Sequence, residues 1–166
     1  DASREFDRVA LIIQDRYTNW LQSYACLGKT AKETQAKFLE FLGTQCKAKH
    51  VYSDNSKEIG KAMFDLEIPH DTSTPYRPET NGIAERAVRR VKEGTSCVLE
   101  QSGFDPEWWP SAMSCYCFLR CVIDQLSGGS TPFSLRYGED FEGPLIPFGC
   151  EITYKPSSPK DQARLH

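Results

Sequence analysis

Nowhere in the 166 residues does an apolar run approach the about 20 residues that a membrane-spanning helix needs, so none of these residues is expected to form one. Residues 1–7 lack the basic start and apolar stretch of a signal peptide. An initiator methionine is also missing, which raises the expectation of a fragment of a longer polyprotein. Cysteine is present seven times, but no CxxC occurs and the three histidines do not pair with cysteines, so neither a zinc site nor a disulfide framework is indicated. Reduced, buried thiols are expected instead, with Cys115, Cys117 and Cys121 inside one buried helix, and these fit an intracellular compartment. A surplus of positive charge is lacking too. The net charge of −3 weighs against an indiscriminate nucleic-acid binder. Locally the balance reverses, because Arg86, Arg89, Arg90 and Lys92 follow one another with no acid between them, and Lys155, Lys160 and Arg164 lie in the final segment.

What is present suits one folded domain with a substantial core: 39% of residues are hydrophobic, with aromatics spread along the chain. Residues 8–15 (RVALIIQD) form a β-branched apolar run and are expected to be a buried strand. A polar turn and the alternating residues 20–26 complete a hairpin. Thr30 and Glu33 make a capping-box pattern ahead of a helix whose Phe38, Leu39, Phe41 and Leu42 share a face and which stops at Gly43. A strand over 49–53, a helix over 58–66 and a strand over 68–74 follow, running into a proline-rich loop. Asn81 opens the strongest helix of the sequence. Its apolar face carries Ala84, Ala87, Val88, Val91, Val98 and Leu99, while Glu85, Arg89 and Lys92 align on another face. A helix over 107–126, a Gly-Gly break, a short helix over 131–137, a short strand over 151–154 and a loose polar tail complete the reading. Strands first, then alternating helix and strand, suit an α/β domain with a mixed sheet.

Two acids stand out chemically. Asp54 ends a strand in HVYSDN, and Glu85 lies in the first turn of the long helix. Acids at strand ends and helix starts can converge, and crowded carboxylates repel unless a cation joins them. Oxygen-only ligands favour Mg²⁺ or Mn²⁺ over zinc. Two such ions about 4 Å apart can activate an attacking oxygen and stabilise a leaving one at a phosphate. Alone, Asp54-Asn55 is equally well a turn after a strand, and Glu85 a solvated residue favoured by the helix dipole.

Taken together these segments resemble the integrase core of retroviruses and long-terminal-repeat retrotransposons. VYSDNSKEI resembles that family's strand-end Asp-Asn-Gly motif. STPYRPETNGIAERAVRRVK matches its pattern S-x-P-Y-x-P-x-x-N/Q-G-x-x-E-R followed by basic residues. Ile68-Pro69-His70 fits the family's apolar residue and histidine just upstream, and IIQDRYTNW resembles its hairpin. DPEWWPSAM, TPFSLRYGE and IPFGCEITY resemble the downstream elements of retrotransposon integrases, so the resemblance covers nearly the whole chain.

The resemblance implies a ribonuclease H-like α/β fold, a mixed five-stranded sheet flanked by helices. It further implies a catalytic core over residues 1–126 and a C-terminal extension over 127–166 comprising the short helix, short strand and flexible tail. The family's two aspartates and one glutamate, its catalytic and metal-binding residues, fall on Asp1, Asp54 and Glu85. Asp7 lies too near the next strand, and Asp15 matches the hairpin. The chain is then expected to begin inside the first strand. The cofactor implied is Mg²⁺ or Mn²⁺, two ions per active site. DNA contacts fall on Asn55, Tyr76, Asn81, Arg89 and Lys92. Arg86 and Arg90 are assigned to a solvated face, His50 and His70 to structural roles, and Trp108 and Trp109 to the core or an interface. The implied reaction is 3′-end processing and strand transfer on element and target DNA by a homodimer or higher multimer, with no membrane, in the nucleus or a virus-like particle. The family's zinc-binding HH-CC pattern does not occur in these residues.

Three departures from the family pattern matter. The Asp-Asn-Gly becomes Asp54-Asn55-Ser56, losing a glycine that permits a left-handed backbone. The following aromatic becomes Ile59. The gap between Asp54 and Glu85 is shorter by about one helical turn. They favour, as the alternative, a domesticated or decayed module that binds DNA or protein without catalysis. A cut-and-paste transposase of the same fold is disfavoured by the Pro-Tyr-x-Pro-x-x-Asn-Gly motif and the Trp-containing helix.

Overall fold

The computed structural model describes residues 9–44, 46–73 and 82–153. The β-branched run forms strand β1, Val9–Gln14, which pairs antiparallel with β2, Leu21–Cys26, in the register Val9↔Cys26 to Gln14↔Leu21. The hairpin tip is closed by Asp15, whose carboxylate accepts from the Thr18 hydroxyl and from the backbone N–H groups of Tyr17 and Thr18.

Helix α1, Ala31–Leu42, starts at Thr30, whose hydroxyl accepts from the Glu33 N–H at 3.2 Å. The expected capping box is only half formed. The Glu33 carboxylate accepts from the Leu27 and Gly28 N–H groups instead of reaching back to the cap residue, so it ties down the β2–α1 turn. Phe38 and Phe41 are buried, but Leu39 is 50% exposed, because the helical step of about 100° per residue carries it off the face those two define. Gly43, at φ 64°, ends the helix in a conformation that disfavours a side chain.

Strand β3, Val51–Ser53, runs parallel to β4, His70–Thr72, and helix α2, Lys57–Asp65, connects them. The expected five-stranded mixed sheet is therefore not what the described residues form: they contain four strands in two separate pairs. With three residues each, β3 and β4 are shorter than their sequence patterns indicated, and such short strands support few ladder bonds. The expected first strand falls within residues 1–8, outside the described residues.

Helix α3, Gly82–Ser102, buries Ala87, Val91 and Thr95. It packs against α4, Trp109–Ile123, so closely that a Cβ added at Gly94 would lie 2.1 Å from the Tyr116 ring. A 3₁₀ turn over Pro106–Trp108 precedes α4. Met113, Cys117 and Cys121, four residues apart, form the buried face of α4 and join Trp20, Leu21, Tyr24, Phe41 and Val91 in the main core. A second cluster gathers Phe38, Ala62 and Met63 beneath α1 and α2. Thiol burial is less general than expected: Cys46, Cys97 and Cys150 are exposed, and none of the seven cysteines is bridged by a disulfide. Burial pushes the Cys121 thiol up to about 11, against the opposing hydrogen bond from the Leu21 backbone.

Helix α5, Pro132–Tyr137, carries a full capping box between Thr131 and Ser134. Its Phe133 ring packs tilted and its Tyr137 ring edge-on against Trp20, and the Arg136 guanidinium lies over Trp20 and Phe41 while donating to the Phe41 carbonyl. The strand expected over residues 151–154 does not form among its described residues, 151–153. Trp109 packs partly buried against the core, whereas Trp108 is 50% exposed and meets Phe104 edge-on.

Candidate active-site cleft

An open cleft of about 650 Å³ lies between β1, the end of β3 and the first half of α3. Ala10, Leu11 and Ile12 contribute one wall, Tyr52, Ser53 and Asp54 the second, and Ala84, Glu85, Val88, Arg89, Lys92 and Glu93 the third. Helical spacing explains the third wall. Positions 85, 88, 89, 92 and 93 recur every three or four residues and so share one face of α3. Ala87, Val91 and Thr95 take the opposite, buried face. Val88, expected in the apolar core stripe, is 43% exposed and belongs to the cleft instead.

Asp54 and Glu85 thus face the same cleft from different elements, and both are solvent-exposed. Arg89 and Lys92 share it, one and two turns along α3 from Glu85. Asn55 adjoins Asp54 and is exposed, but it is not among the cleft-lining residues. Arg86 and Arg90 are exposed on α3 and likewise do not line it. Asp1, Tyr76 and Asn81 lie outside the described residues. Among the described residues no group of three or more His, Cys, Asp or Glu side chains comes together as a metal-binding cluster.

The Asp54-Asn55-Ser56 segment explains how the chain manages without the glycine. Ser56 sits at φ −73°, an ordinary backbone angle, and its hydroxyl caps α2 by accepting from the Ile59 N–H at 3.4 Å. A left-handed residue is not required there, and serine adds a helix cap that glycine lacks. Ile59 lines the cleft and also packs on the second core cluster.

Sequence reasoning gave no role to Ser53 or Glu93. Ser53 is buried, its Oγ lies 2.9 Å from His70 Nε2 and donates to the Asp54 carbonyl at 2.7 Å. Glu93 faces the cleft two turns beyond Glu85, and the signal that could have found it was the four-residue spacing of Glu85, Arg89 and Glu93. His50, read as structural, pairs with Asp71 at 3.0 Å on the surface.

No protein-family model matches the chain. The retrovirus-related Pol polyprotein from transposon RE1 of Arabidopsis thaliana is 30% identical over 151 residues, 86% of this chain. The corresponding polyprotein from transposon RE2 is 28% identical over 152 residues. The Pol polyprotein of feline endogenous virus ECE1 is 27% identical over 163 residues, 93% of this chain. The chain spans 10% of the length of each plant polyprotein and 15% of the feline one. Among solved structures, the catalytic core domain of BIV integrase superposes with a TM-score of 0.57 at 21% identity, covering 76% of this chain and 83% of that one. The HTLV-2 integrase catalytic core domain in complex with magnesium gives 0.57 at 16% identity, over 78% and 93% of the two chains. A chain of the simian T-cell lymphotropic virus intasome gives 0.65 at 20% identity, over 89% of this chain and 54% of that one. The sequence relatives of this chain are therefore Pol polyproteins of retrotransposons and retroviruses, and its α/β fold is the ribonuclease H-like fold of retroviral integrase catalytic cores.

Proposed function

We propose that this chain is the catalytic core of a retroelement integrase, which cuts and joins DNA strands at the cleft shared by Asp54 and Glu85. The observation that carries this reading is that Asp54, Glu85, Arg89 and Lys92 line one open cleft. An oxygen-only donor pair fits a hard divalent cation, which takes one or two protein carboxylates and completes its shell with water and phosphate. Mg²⁺ or Mn²⁺, two ions in the full site, supplies charge neutralisation and Lewis acidity at a phosphate when bound. Asp54 and Glu85 would hold the cation, with Asp1 as a third ligand. Arg89 and Lys92 attract and orient the phosphate backbone beside the carboxylates, and Asn55, Tyr76 and Asn81 add DNA contacts. The reaction is phosphoryl transfer used twice. Water attacks near an element 3′ end, and the freed 3′ hydroxyl then attacks target DNA.

The integrase relatives include an intasome and a magnesium complex in a trimeric form, which supports DNA ends, target DNA and a homodimer or higher multimer as partners. Residues 1–126 would form the core and 127–166 its extension, in a protein acting in the nucleus or a virus-like particle. The net charge of −3 favours the second reading, a decayed or domesticated module that binds without catalysis. Strand nicking separates the two. Mn²⁺-dependent nicking of a short duplex that disappears in Glu85→Gln, with DNA binding retained, supports the integrase. A folded, DNA-binding protein that never nicks supports the binding module.

A further inference from the structure

Ser53 is the residue of the cleft wall on which β3 and β4 meet. It ends β3, and its hydroxyl proton is donated to the carbonyl of Asp54 at 2.7 Å. A serine hydroxyl has one proton and two lone pairs. With its proton committed, Ser53 Oγ can only accept from His70 Nε2, 2.9 Å away, so that nitrogen carries a hydrogen and donates. Desolvation by burial lowers His70 below its ordinary 6.5; Asp71 raises it and His50 lowers it, and the net shift is downward. The ring is therefore neutral at neutral pH, with Nδ1 left as an acceptor. It stands at the start of β4, beside Gly60 of α2, where an added Cβ would meet its Nδ1 at 3.9 Å. The parallel register, with Val51 opposite His70 and Ser53 opposite Thr72, lets the imidazole reach diagonally along the pair to the end of β3.

We propose that His70 is a positioning residue: through Ser53 it fixes the Asp54 peptide and so aims the Asp54 carboxylate into the cleft. The relay is His70 Nε2–H to Ser53 Oγ, then Ser53 Oγ–H to Asp54 O. Asp54 is exposed and lies between the Ser53 carbonyl, which accepts from the Ser73 N–H, and the Ser56 cap of α2, and the relay adds a restraint on the peptide of Asp54 itself. Chains of hydrogen bonds that orient a ligand residue typically change metal affinity about 10- to 100-fold when broken. The inference rests on the reading of Asp54 as a cation ligand given above.

The test is Mn²⁺ binding to the whole chain by titration calorimetry, well below the melting temperature, with thermal melts recorded alongside. His70→Leu is expected to weaken Mn²⁺ binding about 10-fold or more. Ser53→Ala, which removes a single oxygen, is expected to do the same. His70→Gln retains an N–H donor of similar reach and restores binding. In the Ser53→Ala background, His70→Leu has no further effect. A lowered melting temperature with unchanged Mn²⁺ affinity in both His70→Leu and Ser53→Ala overturns the proposal and leaves the pair as packing. So does an undiminished effect of His70→Leu on top of Ser53→Ala. Asp54→Asn is the control for the underlying reading. If it abolishes Mn²⁺ binding while His70→Leu and Ser53→Ala do not weaken it, only the positioning role fails. If Asp54→Asn leaves Mn²⁺ binding intact, the cation site and the positioning role fall together.

Discussion

Asp15 ties the hairpin tip through three hydrogen bonds, and its ionisation reports on them. Burial raises its pKa, but the Thr18 hydroxyl, the Tyr17 and Thr18 backbone N–H groups and, more distantly, Arg136 outweigh that and hold it below the ordinary 3.8. A carboxyl with a lowered pKa stabilises the fold above the ordinary value, and that contribution is lost as pH falls through the lowered one. Asp15→Asn is therefore expected to be less stable than the parent at pH 7, with the gap closing in strong acid, as read by urea midpoints across pH. A gap that persists unchanged at low pH would count against the carboxylate as its source. At this scale the sequence was most informative for residues tied to a motif. Asp54, Glu85, Arg89 and Lys92 belong to segments that resemble the integrase motifs, and all four line one cleft. Ser53 was passed over because a serine before an aspartate looks the same whether its hydroxyl faces solvent or a histidine 17 residues away.

Helix starts were legible in part. Thr30 is legible as a cap from its spacing to Glu33, whereas Ser56 and Thr131, which also cap helices with a side-chain oxygen, carry no such Glu-containing box pattern in the sequence. Replacing Ser56 by alanine is expected to cost about 1 kcal/mol, and replacing it by glycine only a few tenths of about that amount. Denaturant midpoints with unchanged slopes would check both. Equal losses for the two substitutions would remove the cap as the explanation. Helix α3 carries two readings at once, a buried face through Ala87, Val91 and Thr95 and a cleft face through Glu85, Arg89 and Lys92. If Arg89 and Lys92 hold phosphates, each substitution to alanine reduces the slope of log affinity against log salt by about 0.9. A parallel displacement of the line, with the slope kept, would contradict a phosphate contact. Strand extents were less legible than helix starts. Periodicity marks an extended segment, but the ends of β3 and β4 are set by where their ladder finds a partner, which lies elsewhere in the chain.

Across the molecule, the order of strands and helices indicated an α/β domain, and the solved integrase cores share its fold. The number of strands in the sheet was not legible, because an edge is defined by non-local pairing and the described residues form two pairs. The docking of α5 on Trp20 and Phe41 was equally invisible, since only the folded chain brings Arg136 to the Phe41 carbonyl. The end of β3 and the start of α3 bring Asp54 and Glu85 to one cleft. If Asp54 and Glu85 act on one cation site, their substitutions are not independent. The most direct measurement is the initial rate of Mn²⁺-dependent duplex nicking by the parent chain, Asp54→Asn, Glu85→Gln and the double variant. Measurable nicking by the parent, with each single variant at background and the double variant no lower, is the predicted result. Nicking that survives either single substitution in a folded protein contradicts the assignment of the chemistry to this cleft.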